Sequence, residues 1–149
     1  MTEVFIVDDR VHEISWLTQF LKDDLNCEVT LKTNEKHTKE HFESFRVDSS
    51  VKSVPYSLAI VDIMIPVAPM AELVVLDKEL LNNSRDTGIR LCKFFRHELG
   101  ISEQEMPIVA ISARGDEDLI REMRELKVPL FGRDELEIRD FIKDVLARP

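Results

Sequence analysis

Leu58-Ala59-Ile60-Val61-Asp62-Ile63-Met64-Ile65-Pro66 is the stretch on which the fold turns. Four apolar residues run into one carboxylate, and a proline closes the run four residues later. An apolar run this short, bounded by turn signals, suits a strand buried on both faces of a parallel sheet; a half-exposed strand would alternate. Asp62 then falls at the strand's carboxyl end, where open α/β sheets gather their ligand sites. A carboxylate there is costly to bury unless something pairs with it, so the rest of the chain has to supply a partner.

Upstream, Glu3-Val4-Phe5-Ile6-Val7 is a β-rich run that stops at Asp8-Asp9-Arg10. Val11, Ile14, Trp16, Leu17, Leu21 and Leu25 follow, mostly at helical spacing, which predicts an amphipathic helix leaving the strand end. Cys27 to Lys32 alternates apolar and polar residues, as an edge strand does. From Thr33 to Ser57 the composition turns polar, and Phe42, Phe45 and Val47 predict a helix with a narrow apolar face before a Ser-rich loop to Pro55.

Downstream, Val67 to Asp86 carries Met70, Leu73, Val74, Leu76, Leu80 and Leu81 before Asn82-Asn83-Ser84, and reads as an extra short helix or ordered loop. Gly88 opens a helix with Ile89, Leu91, Cys92, Phe94, Phe95 and Leu99 apolar and Gly100 as its stop. Pro107-Ile108-Val109-Ala110-Ile111 is a second buried strand, ending at Ser112. Asp116 starts a helix with Leu119, Ile120, Met123 and Leu126 on one face; Val128 to Phe131 makes a short last strand, and Asp134 onward the last helix. Five strands alternating with helices call for a doubly wound parallel α/β sheet. No repeat or linker divides residues 1–149, so one domain is expected.

The chain carries 29 acidic against 20 basic residues, a net charge of -9, and has no Lys/Arg cluster. Direct nucleic-acid binding draws its affinity from phosphate neutralisation, so none is expected. No run approaches the roughly 20 apolar residues of a membrane span, and the N-terminus has no signal-peptide pattern; a cytoplasmic protein is expected. Cys27 and Cys92 form no metal or redox motif. His37 and His41 have the i, i+4 spacing of a metal pair without a third ligand, and read as surface histidines.

Three strand ends thus carry polar groups: Asp8 and Asp9, then Asp62, then Ser112. On parallel strands all lie at one edge of the sheet, where carboxylates without a counter-charge repel and some protonate. A hard divalent cation resolves this, since Mg²⁺ takes a few carboxylate oxygens, keeps several waters and accepts a phosphate oxygen. A carboxylate so placed is also a nucleophile toward phosphorus, with positioning and charge neutralisation doing most of the work. The Ser112 hydroxyl is suited to donate a hydrogen bond to the transferred group.

At these residues the chain resembles the receiver domain of two-component response regulators. Asp8-Asp9 after an apolar strand is similar to that family's acidic metal pair, Asp62 with Met64-Ile65-Pro66 behind it to the phosphoacceptor motif, and Ser112-Ala113 to the hydroxyl and small residue. The resemblance implies a flavodoxin-like five-stranded sheet of order 2-1-3-4-5. It implies phosphorylation of Asp62 by a histidine kinase or phosphotransfer protein, and Mg²⁺ held by Asp8, Asp9, Asp62 and the Met64 carbonyl. It also implies output through a downstream protein, and no enzymatic activity beyond the domain's own phosphorylation and dephosphorylation. Arg114 would sit beside the phosphoryl group and tune its hydrolysis, and Trp16 lies on the helix that docks kinases.

Two departures stand out. The family carries a Lys-Pro pair at the end of the last strand, whereas here Val128-Pro129-Leu130-Phe131-Gly132-Arg133-Asp134 has no lysine and no such pair. Arg133 is the nearest cation and the tentative substitute, although Arg and Lys are not interchangeable; an ungapped count from Ser112 instead places Asp134 there, with Phe131 as the switch aromatic. The second departure is an insertion at about 67–86, expected to be a lid or partner surface. The competing expectation is a pseudo-receiver that binds partners constitutively and is never phosphorylated. A haloacid-dehalogenase-like phosphatase ranks lower, because it wants an aspartate where Met64 stands.

Overall fold

The computed structural model describes residues 1–47, 50–51, 53–69, 86–133 and 136–148. Strands β1 (Thr2–Val7), β2 (Cys27–Lys32), β5 (Tyr56–Asp62), β6 (Ile108–Ser112) and β7 (Leu130–Gly132) form one parallel sheet. The spatial order is β2-β1-β5-β6-β7. Counted over the sheet's own strands this is 2-1-3-4-5, the expected order. A two-stranded antiparallel hairpin, β3 (Arg46–Val47) with β4 (Ser50–Val51), stands apart.

The apolar runs are continuous because both faces of the sheet are covered, and successive strand residues point to opposite faces. Phe5, Val7, Ala59, Val61 and Ala110 pack on one side with Phe42 of α2 (Glu35–Glu43), Leu91 and Cys92 of α3 (Thr87–Lys93), and Leu119 and Met123 of α4 (Glu117–Glu125). Val4, Ile6, Leu58, Ile60 and Val109 pack on the other with Leu17 of α1 (Ser15–Gln19) and Ile138 and Ile142 of α5 (Glu137–Leu146). Both α1 and α3 run on into a single π-helical turn, Phe20–Asp24 and Phe94–Glu98. There Leu25 and Leu99 donate to carbonyls five residues back, at 3.2 and 2.9 Å. Gly100 then adopts φ +67°, the left-handed stop expected of it.

Several local expectations are corrected. The first helix begins at Ser15, leaving Val11 exposed, and the buried Phe20 joins its apolar face. Val47 belongs to the hairpin and not to α2, because two-residue strands are too short to leave a period-two signal. Ile120 is exposed, while Leu119 and Met123 hold α4 to the core. The last strand is Leu130–Gly132, two residues after Val128, and the last helix begins at Glu137. His41 is only half-exposed: its ring stacks on Phe5 at 6.0 Å, and Nε2 lies 2.5 Å from the Tyr56 hydroxyl. The insertion expected at about 67–86 falls outside the described residues except for its two ends, as does Asp134. Among the described residues no helix is long and apolar enough to cross a membrane.

One close approach positions the edge of the sheet. The Gly88 N–H donates to the Ile63 carbonyl at 2.8 Å. A Cβ on Gly88 would lie 2.5 Å from both the Asp62 carbonyl oxygen and Ile63 Cα. Both obstacles are backbone, so neither yields cheaply. Gly88→Ala is therefore expected to destabilise the fold by about 1–3 kcal/mol through overpacking, measured by urea unfolding, while Gly115→Ala, which meets open space, leaves the packing unchanged.

Candidate functional site

The parallel topology delivers the candidate residues to one edge. Asp8 is the first residue after β1, Asp62 and Ser112 are the last residues of β5 and β6, and Arg133 is the first after β7. The register pairs Ser112 with Gly132. Asp8 is fully buried, Asp62 and Ser112 are each 3 % exposed, and Asp9 is exposed. Asp8, Asp9 and Asp62 each offer a carboxylate oxygen, and these atoms lie within 4.8 Å of one another.

Backbone hydrogen bonds aim the carboxylates. The Asp8 amide donates to the Lys32 carbonyl at 3.0 Å, and its Oδ1 accepts from the Arg10 amide at 2.8 Å. Asp62 Oδ1 accepts from the Met64 amide at 3.1 Å, turning the half-exposed Met64 past the site. Ile63 in turn donates to the Ile111 carbonyl at 3.1 Å, tying the strand exit to β6.

Arg133 enters between the carboxylates. Its Nη1 lies 3.0 Å from Asp62 Oδ2 and 3.1 Å from Asp8 Oδ2. Its Nη2 lies 3.4 Å from Asp8 Oδ1 and 3.3 Å from Glu13 Oε2. The guanidinium is mostly buried, at 11 % exposure. Glu13 is a member that the sequence reading missed. It sits in the turn before α1, and nothing local in the sequence marks a contact reaching to residue 133.

Electrostatics follow from burial. Asp62 is pushed up to about 6, first by loss of water and then by the Asp8 charge, against the Met64 amide and Arg133. Asp8 is also raised by burial, with the Arg10 amide and Arg133 opposing. Burial works against the charge on Arg133, yet the hydrogen bond to Asp8 and the Asp8, Asp62 and Glu13 charges raise it on balance. One guanidinium facing several carboxylates leaves an excess of negative charge. Asp8 Oδ2 is buried and, beyond its 3.1 Å ion pair with Arg133 Nη1, accepts no hydrogen bond among the described residues. An all-oxygen, anionic donor set with such an atom fits a hard divalent cation.

The remaining candidates lie around this centre. Ser112 Oγ accepts from the Arg114 amide at 2.9 Å, leaving the hydroxyl proton to donate. Arg114 is engaged by Asp86 at 2.8 Å and by Asp116 at 2.9 and 3.1 Å, so its side chain ties the start of α3 to the N-cap of α4. The Phe131 ring packs on Phe141 at 5.5 Å, on the α1–α5 side, while Leu130 packs on the opposite core. Ser112, Arg114, Leu130 and Phe131 also line a cleft of about 630 Å³ with Met123 and Arg124.

No family model matches the sequence, and no curated protein does. Solved structures do match over nearly the whole chain. The signal receiver domain of a DNA-binding response regulator from Colwellia psychrerythraea superposes with TM-score 0.67 at 15% identity, covering 99% of this chain and 100% of that one. A two-component response regulator from Clostridium difficile gives TM-score 0.67 at 18% identity, covering 99% and 98%. The response regulator TrrA from Thermotoga maritima, in complex with Mg²⁺ and BeF, gives TM-score 0.62 at 15% identity, covering 97% and 99%. The fold is that of response-regulator receiver domains.

The raised Asp62 carboxyl makes a pH prediction. A carboxyl whose folded value exceeds its unfolded one binds its proton more tightly in the native state. It stabilises the fold below about pH 4 and loses that contribution as pH rises through about 6. Asp62→Asn, uncharged throughout, is expected to be more stable than the parent at pH 7–8, by on the order of 3 kcal/mol. That gap should close as pH falls toward 4 in urea titrations.

Proposed function

We propose that this chain is a receiver that takes a phosphoryl group on Asp62 from a phosphohistidine of a kinase or phosphotransfer protein and signals through protein–protein contact. The observation that carries the reading is the buried Asp8–Asp62 pair bridged by Arg133 at the carboxyl edge of the sheet, one strand from the Ser112 hydroxyl. Asp62 Oδ attacks phosphorus, an O–P bond forms as the N–P bond breaks, and the imidazole nitrogen leaves with the electron pair. Asp8, Asp9, Asp62 and the Met64 carbonyl would hold Mg²⁺, which neutralises charge developing on the phosphoryl oxygens. Ser112 donates its hydroxyl proton to a phosphoryl oxygen. Arg133 offers a second oxygen its planar fork. In this reading the domain catalyses nothing beyond its own phosphorylation and dephosphorylation, and the acidic, cytoplasmic chain contacts neither nucleic acid nor membrane. Phe131 and Arg114, on the shared cleft, are the proposed route from site to surface.

A second reading is a constitutive protein-binding module that is never phosphorylated. Arg133 favours it, because an internal cation already bridges both buried carboxylates where the family carries a lysine. Intact-mass spectrometry separates the two. With Mg²⁺ and acetyl phosphate the parent is expected to gain one phosphoryl mass, with no gain in Asp62→Asn or in excess chelator. No gain with acetyl phosphate or with a phosphorylated histidine phosphotransfer donor, under conditions that label a control receiver, would favour the binding module.

A further inference from the structure

The guanidinium of Arg133 and a divalent cation want the same oxygens. Nη1 stands 3.0 and 3.1 Å from Asp62 Oδ2 and Asp8 Oδ2, and Mg²⁺ would approach such oxygens to about 2.0–2.1 Å. Two cations at that spacing repel strongly where water is scarce. Arg133 stays charged, so when it yields those oxygens it needs another anionic seat. Glu13 is placed to be that seat. Its Oε2 lies 3.3 Å from Nη2, the nitrogen that also reaches Asp8 Oδ1 at 3.4 Å but does not bridge the two aspartates. Glu13 is 57 % exposed, in a turn held by its amide donating to the Arg10 carbonyl at 3.0 Å, and Arg10 Nη1 also lies 3.6 Å from it.

We propose that Glu13 is a positioning residue for Arg133, holding the guanidinium at the rim so that a divalent cation displaces Nη1 from Asp8 and Asp62 without expelling the arginine. The inference rests on the reading that these carboxylates take Mg²⁺. It adds that the metal's affinity is set by a competition inside the chain, and that metal entry frees one face of the fork for a phosphoryl oxygen. Exposed ion pairs contribute little by themselves. Glu13 therefore matters through its effect on Arg133 and not on stability.

Isothermal titration with Mg²⁺ alone, on the parent, Glu13→Gln, Arg133→Gln and the double variant, tests it. Arg133→Gln is expected to bind Mg²⁺ roughly tenfold tighter, because the competing cation is gone. Glu13→Gln is expected to weaken binding at least about threefold in the parent yet hardly at all beside Arg133→Gln, the coupling typical of contacting residues. Equal weakening in both backgrounds would reduce Glu13 to a general field effect and overturn the proposal, as would Arg133→Gln failing to tighten binding. If Arg133→Gln does not fold, Arg133→Lys serves: it keeps the charge but loses the fork, so the Glu13 effect should shrink there too, and an undiminished effect overturns the proposal. Mg²⁺ binding to none of these proteins would remove the metal reading itself, which differs from binding without coupling.

Discussion

Two carboxylates buried side by side need a counter-charge, and in this chain Arg133 provides it. The Asp8 and Asp62 oxygens that face each other are bridged by one guanidinium nitrogen at 3.1 and 3.0 Å. Without that cation, burial and mutual repulsion would drive both toward the protonated form, and even with it both are raised. The sheet brings the groups together. Each is carried at or just past a strand's carboxyl end, and parallel pairing sends those ends to one edge. The packing of Gly88 against the Asp62–Ile63 backbone then fixes where the central strand leaves the sheet.

An arginine in this role differs from a lysine in kind. Its fork has two ends, so one nitrogen bridges Asp8 and Asp62 while the other reaches both Glu13 and the second Asp8 oxygen. A lysine is a single point of charge. The same geometry that makes the site a candidate phosphoacceptor would give a bound divalent cation an internal rival, and so ties the two competing functional readings to one side chain.

Much of this was legible in the sequence, for identifiable reasons. Buried parallel strands leave continuous apolar runs, so the Leu58 and Ile108 runs and the polar residues that end them were readable, while the sheet order came only through the family resemblance those residues carry. Asp8, Asp9, Asp62 and Ser112 followed because each interrupts such a run. Arg133 was harder, since a three-residue strand fixes its register by pairing with β6 and not by pattern. Glu13 and the Phe5–His41–Tyr56 cluster were illegible because their contacts join residues far apart in the chain. The β3–β4 hairpin and the π-helical turns are too short to imprint a period.

The account's central claim is that the Asp62 carboxylate, and no neighbouring one, is the nucleophile. Borohydride trapping addresses it most directly: hydride reduces an aspartyl phosphate to homoserine, which peptide mass mapping then locates. After incubation with Mg²⁺ and acetyl phosphate, the account predicts homoserine at position 62, with Asp8 and Asp9 intact. Homoserine at position 8 or 9, with Asp62 unchanged, would contradict it.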